Sequence, residues 1–232
     1  MTGLAAPPPV EVVAANLAAV RDRMASAGGD PDRVVIVAVT KGFTAEAVRA
    51  AAAVGLIDIG ENYAQELVAK QDELGDAADG LRWHAIGRLQ TNKVRTLVGR
   101  VALWQSVDRD ALAAELARRA PGAAVLVQVD LAGLPGRGGC RPDEVPRLVA
   151  AWRDRGLDVQ GLMGVGAPGP AEGAREGFRR LRALADELTL PVRSMGMSSD
   201  LEVAIEEGAT MVRLGTALFG ARPRLPDAGL RH

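Results

Sequence analysis

Lysine is rare in this chain: of 28 basic residues only Lys41, Lys70 and Lys93 are lysines. Arginine stays protonated in proteins, so each lysine is a candidate for amine chemistry that arginine cannot perform. Lys41 follows two residues behind an apolar run over 34–39. Low-dielectric walls at the end of a buried strand favour the neutral amine, which forms a Schiff base with an aldehyde. The alternative is a solvated charge pointing over a rim. A second kind of chemistry sits near the C-terminus. Ser194-Met195-Gly196-Met197-Ser198-Ser199-Asp200 reads as a strand end leading into a helix, with Ser199 and Glu202 at capping-box spacing. Free N–H groups beside a serine hydroxyl make a pocket for an anion. Arg213-Leu214-Gly215-Thr216 adds a cation, a glycine that permits close approach, and a hydroxyl. The plainer alternative is one helix cap and one turn. Asn62 is either a helix N-cap or a polar group at a strand end. His84 is one of two histidines, the other being the terminal His232. With no second histidine, cysteine or acidic cluster at ligand spacing, a zinc site is not expected.

These residues need elements that bring them together. The continuous apolar run over 34–39 marks a strand buried on both faces. Further strands are predicted over 56–59, 82–86, 102–107, 123–129, 159–163, 192–195 and 210–214. Helical periodicity predicts helices over 10–26, 45–54, 62–74, 90–98, 108–119 with Asp108 as N-cap, 142–155, 171–188 and 200–207. A short closing turn is expected over 217–219. Strand and helix alternate at a spacing that implies right-handed crossovers and a parallel sheet. The fold expected is a single α/β domain, a (β/α)8 TIM barrel with an extra N-terminal helix. An open doubly wound sheet competes, but no G-x-G-x-x-G follows the first strand. The barrel is expected over 10–222, with 1–9 as a disordered N-terminal tail and 223–232 as a C-terminal tail.

Composition narrows the class. With 232 residues, 48% hydrophobic and 25% charged, the chain can bury a large core. A net charge of −1 and 3% aromatics argue against nucleic-acid binding through a basic or stacking surface. No apolar run approaches the roughly 20 residues that span a bilayer. The start of the chain lacks a basic n-region and is broken by Pro7, Pro8 and Pro9, so no secretory signal is expected. The lone Cys140 cannot form an internal disulfide, which fits a reducing, cytoplasmic setting.

In a parallel barrel the C-terminal strand ends converge on one mouth, and phosphate sites often follow strands seven and eight. Lys41 would then face the serine and Gly215-Thr216 segments. An amine for an aldehyde opposite an anion pocket matches pyridoxal 5′-phosphate. Arg213, one step inside the rim, could bond the pyridine nitrogen and keep it unprotonated, because a fixed cation disfavours a second one beside it.

The ordered set Val37-Ala38-Val39-Thr40-Lys41, Gly60-Glu61-Asn62-Tyr63-Ala64-Gln65-Glu66, Trp83-His84-Ala85-Ile86-Gly87-Arg88-Leu89-Gln90-Thr91-Asn92-Lys93, Gly161-Leu162-Met163, the 194–200 segment and Met211-Val212-Arg213-Leu214-Gly215-Thr216 resembles the pyridoxal phosphate homeostasis protein family. The resemblance runs from about residue 34 to 222. It implies a barrel similar to the N-terminal domain of alanine racemase, without that enzyme's second domain. It implies Lys41 as the internal aldimine lysine and Arg213 at the pyridine nitrogen. Ser198, Gly215 and Thr216 match the phosphate positions, while Asn62 and His84 match polar residues near the ring. It also implies a role in buffering or delivering the cofactor, without established turnover, with transient contacts to apoenzymes that need it.

Two departures stand out. Arg137-Gly138-Gly139-Cys140 replaces a Lys-Ser-Gly-like element after strand five, which puts a loop lysine's role in cofactor transfer in doubt. Gly42, Phe43 and Thr44 replace the usual residues after Lys41. A racemase would need a second base, for which Tyr63 is the single tyrosine present. A binding and carrier role is therefore favoured over a racemase or lyase, and over an aldolase using Lys41 on a sugar phosphate. Without a second domain a monomer is expected.

Overall fold

The computed structural model describes residues 4–133 and 138–221. A leading helix α1 (Val10–Ser26) precedes β1 (Val35–Val39), α2 (Glu46–Ala53), β2 (Asp58–Glu61), α3 (Ala64–Leu74) and β3 (Arg82–Ala85). Next come α4 (Val94–Leu97), β4 (Leu103–Val107), α5 (Asp110–Arg119), β5 (Ala124–Val129), α6 (Val145–Asp154) and β6 (Asp158–Gly164). The chain closes with α7 (Arg175–Glu187), β7 (Val192–Ser194), α8 (Leu201–Glu206), β8 (Met211–Leu214) and α9 (Thr216–Phe219). The strands pair in parallel in chain order, and β1 closes on β8 with Val37 opposite Arg213, so the sheet is the expected (β/α)8 barrel.

Both faces of the strands are covered, which is why β1 reads as Val-Ile-Val-Ala-Val without alternation. Ile36 and Ala38 pack outward against the helices, while Val37 joins Leu103, Leu126, Met163 and Met211 inside the barrel. The rest of the interior is polar, with His84, Gln105, Ser194 and Arg213 all buried. Helix α1 buries Val13, Leu17, Val20 and Met24, one stripe at helical spacing. That stripe lies against α8 and α9, and Asn16 Nδ2 donates to the Leu218 carbonyl at 2.8 Å.

The structure corrects several expectations. Strand β2 lies two residues later than 56–59. Leu56 and Ile57 carry the apolar signal, but register with β1 and β3 places Asp58-Ile59-Gly60-Glu61 in the sheet. Its two acids are tolerated because His84 and Lys70 meet them. Helix α3 starts at Ala64 with Tyr63 at the N-cap position, so Asn62 is not the cap. Helix α5 has Arg109 rather than Asp108 as N-cap; the Asp108 carboxylate instead takes Arg109 Nη1 at 2.5 Å. The helix expected over 90–98 divides into a 3-10 turn, Thr91–Lys93, and α4. No Ser199–Glu202 capping box forms. Asp200 is the N-cap residue, its Oδ1 accepts the Met197 N–H at 2.6 Å, and Glu202 pairs with Arg23. Within the segment expected to be a disordered tail, Ala5 bridges Phe43: it donates to the Gly42 carbonyl and accepts from the Thr44 N–H, both at 2.9 Å. Arg137 and the expected tail over 223–232 lie outside the described residues.

Candidate functional site

The C-terminal strand ends surround a cavity of about 680 Å³. Its apolar walls are Val39, Ile86, Met163, Val165 and Met197; its polar lining is Lys41, Asn62, Ser198, Ser199, Arg213, Gly215 and Thr216. Among the described lining residues none is acidic, so the cavity favours an anion that also carries an apolar face.

Lys41 is half-buried, and the residues on either side of it are clamped. Thr40, fully buried, donates its hydroxyl to Glu61 Oε1 at 2.6 Å. Lys70 Nζ donates to the Thr40 carbonyl at 2.7 Å and forms an ion pair with Glu61, both side chains fully buried. On the far side the Gly42 N–H donates to Glu66 Oε2 at 2.9 Å, and Lys70 Nζ lies 3.6 Å from that same oxygen. Gly42 has φ of 77°, the left-handed turn that glycine adopts without strain. Burial raises the Glu61 carboxyl above its ordinary range despite the neighbouring Lys70. The three lysines thus divide their duties: Lys70 holds the loop, Lys93 lines a neighbouring cavity, and Lys41 faces the main one.

Arg213 reaches the cavity wall from β8 and is almost wholly buried. Its Nη1 donates to the Ser194 carbonyl at 2.8 Å and to Ser194 Oγ at 2.7 Å, and its Nη2 donates to the Gly164 carbonyl at 2.8 Å. Three fixed bonds hold the guanidinium plane in place. Burial lowers its pKa to about 10, with Asp200 opposing the shift, so the group is cationic at neutral pH.

The hydroxyl side of the cavity is assembled from two segments. Ser198 Oγ accepts the Ala217 N–H at 3.0 Å, tying the β7–α8 loop to α9 beside Gly215 and Thr216. Arg23, from α1, donates to the Ser198 carbonyl at 3.1 Å while its Nε bonds Glu202 at 2.6 Å. Opposite, Asn62 is set by close approach: a Cβ on Gly87 would stand 2.3 Å from the Asn62 carbonyl oxygen. Only glycine lets the β3 end pass this near.

Lys41, Asn62, Ser198, Arg213, Gly215 and Thr216 therefore converge on one cavity, as the sequence predicts. His84 does not. It lies fully buried inside the barrel, and it is Ile86, just past the end of β3, that lines the cavity. Tyr63 is 59% exposed and lines the adjacent cavity of about 560 Å³ with Arg88, Lys93 and Arg109. The clamp residues Glu61 and Lys70, the arginine's partner Ser194 and the α1 residue Arg23 escape sequence reasoning. Glu66 and Lys70 at i,i+4 on α3 were a usable signal, but that spacing usually marks a surface pair.

Residues 10–223 match the family described as alanine racemase, N-terminal domain. The chain is 43% identical over 220 residues to a pyridoxal phosphate homeostasis protein of Pseudomonas aeruginosa, covering 91% of this chain and 95% of that one. The structure of PipY from Synechococcus elongatus with PLP bound superposes with a TM-score of 0.77 at 37% identity, over 90% of this chain and 100% of that one. An alanine racemase from Corynebacterium glutamicum shares the fold, with a TM-score of 0.71 at 21% identity over 100% of this chain and 66% of that one.

Proposed function

We propose that this chain, which belongs to the pyridoxal phosphate homeostasis protein family, binds pyridoxal 5′-phosphate in the Lys41 cavity and serves to buffer and deliver it. The observation that carries the reading is the donor set. One amine, one buried guanidinium and three hydroxyls face a cavity with apolar walls and no acid among its described lining residues. When bound, the cofactor supplies an aldehyde that condenses with an amine, and a phosphate dianion. Lys41 is the attachment point, bracketed by the Lys70 clamp. Ser198, Gly215 and Thr216 receive the phosphate, and Arg213 meets the ring nitrogen, which a fixed cation keeps unprotonated. Asn62 bonds a polar edge of the ring. PipY, at 37% identity, is described with PLP bound, which supports the same cargo here.

The carrier role without turnover draws support from Tyr63. A second base has to reach the opposite face of the bound molecule, and this tyrosine is exposed in the adjacent cavity. The chain acts as a monomer in the cytoplasm and hands its cargo to apoenzymes in transient encounters. Among the described residues no helix is long and apolar enough to cross a membrane.

Borohydride reduction of the PLP-loaded protein, followed by peptide mapping, tests the site. The adduct is expected on Lys41, and Lys41→Ala is expected to fold yet yield none. An adduct on Lys70 or Lys93 in the native chain overturns the assignment.

A further inference from the structure

Beneath the cavity floor a file of polar side chains crosses the barrel interior. Arg213 Nη1 donates to Ser194 Oγ at 2.7 Å, and the Ser194 hydroxyl donates to Gln105 Oε1 at 2.7 Å. Gln105 Nε2 stands 2.7 Å from His84 Nδ1, and His84 Nε2 stands 2.8 Å from Asp58 Oδ1. The chemistry of the partners settles the direction of the last two bonds. An ionised Asp58 only accepts, so His84 carries a proton on Nε2; the Gln105 amide nitrogen only donates, so His84 Nδ1 is the acceptor. That choice aims the Gln105 carbonyl at Ser194 and leaves the Ser194 oxygen lone pairs for Arg213. Every bond then runs the same way, from a cation at the cavity to an anion on the opposite side. All five residues are buried, Asp58 at 7% being the most exposed.

We propose that His84, Gln105 and Ser194 form a hydrogen-bond relay that positions Arg213 and transmits what Arg213 binds to the His84–Asp58 pair. The proposal rests on the reading of the cavity as a pyridoxal phosphate site only for its choice of probe. Bonds in such a file polarise one another in a low-dielectric interior, so a change at one end is felt along it. With Gln105 turned over, its carbonyl oxygen would face the unprotonated His84 Nδ1, lone pair against lone pair, which gives the file one favoured register. A polar network that merely stabilises the core would hold Arg213 still without reporting its ligand.

The test uses the full chain labelled with ¹⁵N-histidine, its two histidines separated by a His232→Gln variant. Long-range ¹H–¹⁵N spectra read the tautomer at each ring nitrogen. The ligand-free protein is expected to show His84 protonated on Nε2 alone. Pyridoxal 5′-phosphate is expected to move the His84 nitrogen signals although His84 lines no part of the cavity. Gln105→Met and, more gently, Ser194→Ala are expected to abolish that response while the cofactor still binds, and to speed its release about tenfold. A saturated native protein whose His84 signals stay still overturns the relay, as does a response that survives both variants. If the native protein binds no pyridoxal 5′-phosphate, the functional reading falls by itself. The relay is then judged in the ligand-free protein by Arg213→Met, which must shift the His84 nitrogens and overturns the relay if it does not.

Discussion

At the scale of single residues, Lys41 is made useful by neighbours that never touch a ligand. Lys70 and Glu61 are fully buried, and one Glu61 oxygen has no hydrogen-bond partner among the described residues. Breaking a buried pair leaves an uncompensated charge, which costs about 3–5 kcal/mol, whereas replacing both partners by apolar groups is often close to neutral. Lys70→Met is therefore expected to lower stability by several kcal/mol in urea titration, and the double variant Glu61→Leu with Lys70→Met to recover much of the loss. The same single variant should slow cofactor capture at Lys41, because the Thr40 carbonyl loses its anchor. Equal losses in the single and double variants would show that the pair is not coupled as described. Lys41 was recognisable in the sequence as the amine behind a buried strand, and Lys70 only as one of three scarce lysines; that Lys70 was the clamp was not legible, since burial and partner depend on which helix lies over which loop.

At the scale of elements, α1 does more than cover the barrel. Arg23 joins it to α8 through Glu202 and to the β7–α8 loop through the Ser198 carbonyl. The hydrogen bond from Arg23 holds the Glu202 carboxyl below its ordinary range. A depressed carboxylate contributes stability that is present above its unfolded pKa, about 4.3, and is lost as pH falls through the folded value. The pair is about 40% exposed, with side-chain accessibilities of 36% and 43%, so solvent screening keeps its worth below about 1 kcal/mol. Arg23→Met is expected to remove that part of the acid dependence, seen as a shallower fall in melting temperature between pH 5 and pH 3. It should also weaken phosphate retention through Ser198. An unchanged pH profile would sink the coupling. The helix itself was readable from its apolar stripe, with its bounds, but the destination of Arg23 lies 179 residues away in the chain and no local pattern points to it.

At the scale of the whole molecule, closure of β1 on β8 brings Lys41, two residues past the end of β1, to the same mouth as Arg213 on β8. The cavity thus exists only in the closed barrel, so a ligand there stabilises the folded state by mass action. At a concentration of 100 times its dissociation constant, pyridoxal 5′-phosphate should add about 2.7 kcal/mol, raising the melting temperature by roughly 5–10 °C for a chain of this size. Differential scanning calorimetry checks this. Lys41→Ala should keep only the noncovalent share of the rise, and a full rise in that variant would argue that the cofactor binds elsewhere.

The order of strands and helices, the barrel and most of the polar cavity residues were legible in the local sequence, because a parallel strand buried on both faces and an amphipathic helix each leave a short-range pattern. Lys41, Asn62, Ser198, Gly215 and Thr216 could be placed because they follow strand ends, and Arg213 because it lies one step inside such an end, and in a parallel barrel every strand end meets at one mouth. Depth could not be placed that way. His84 and Ile86 stand only two residues apart, yet only the stagger of strands around the barrel makes Ile86 the wall and His84 a buried layer. The register of β2 was settled likewise, since Asp58 and Glu61 enter the sheet only when His84 from β3 and Lys70 from α3 arrive to bond them.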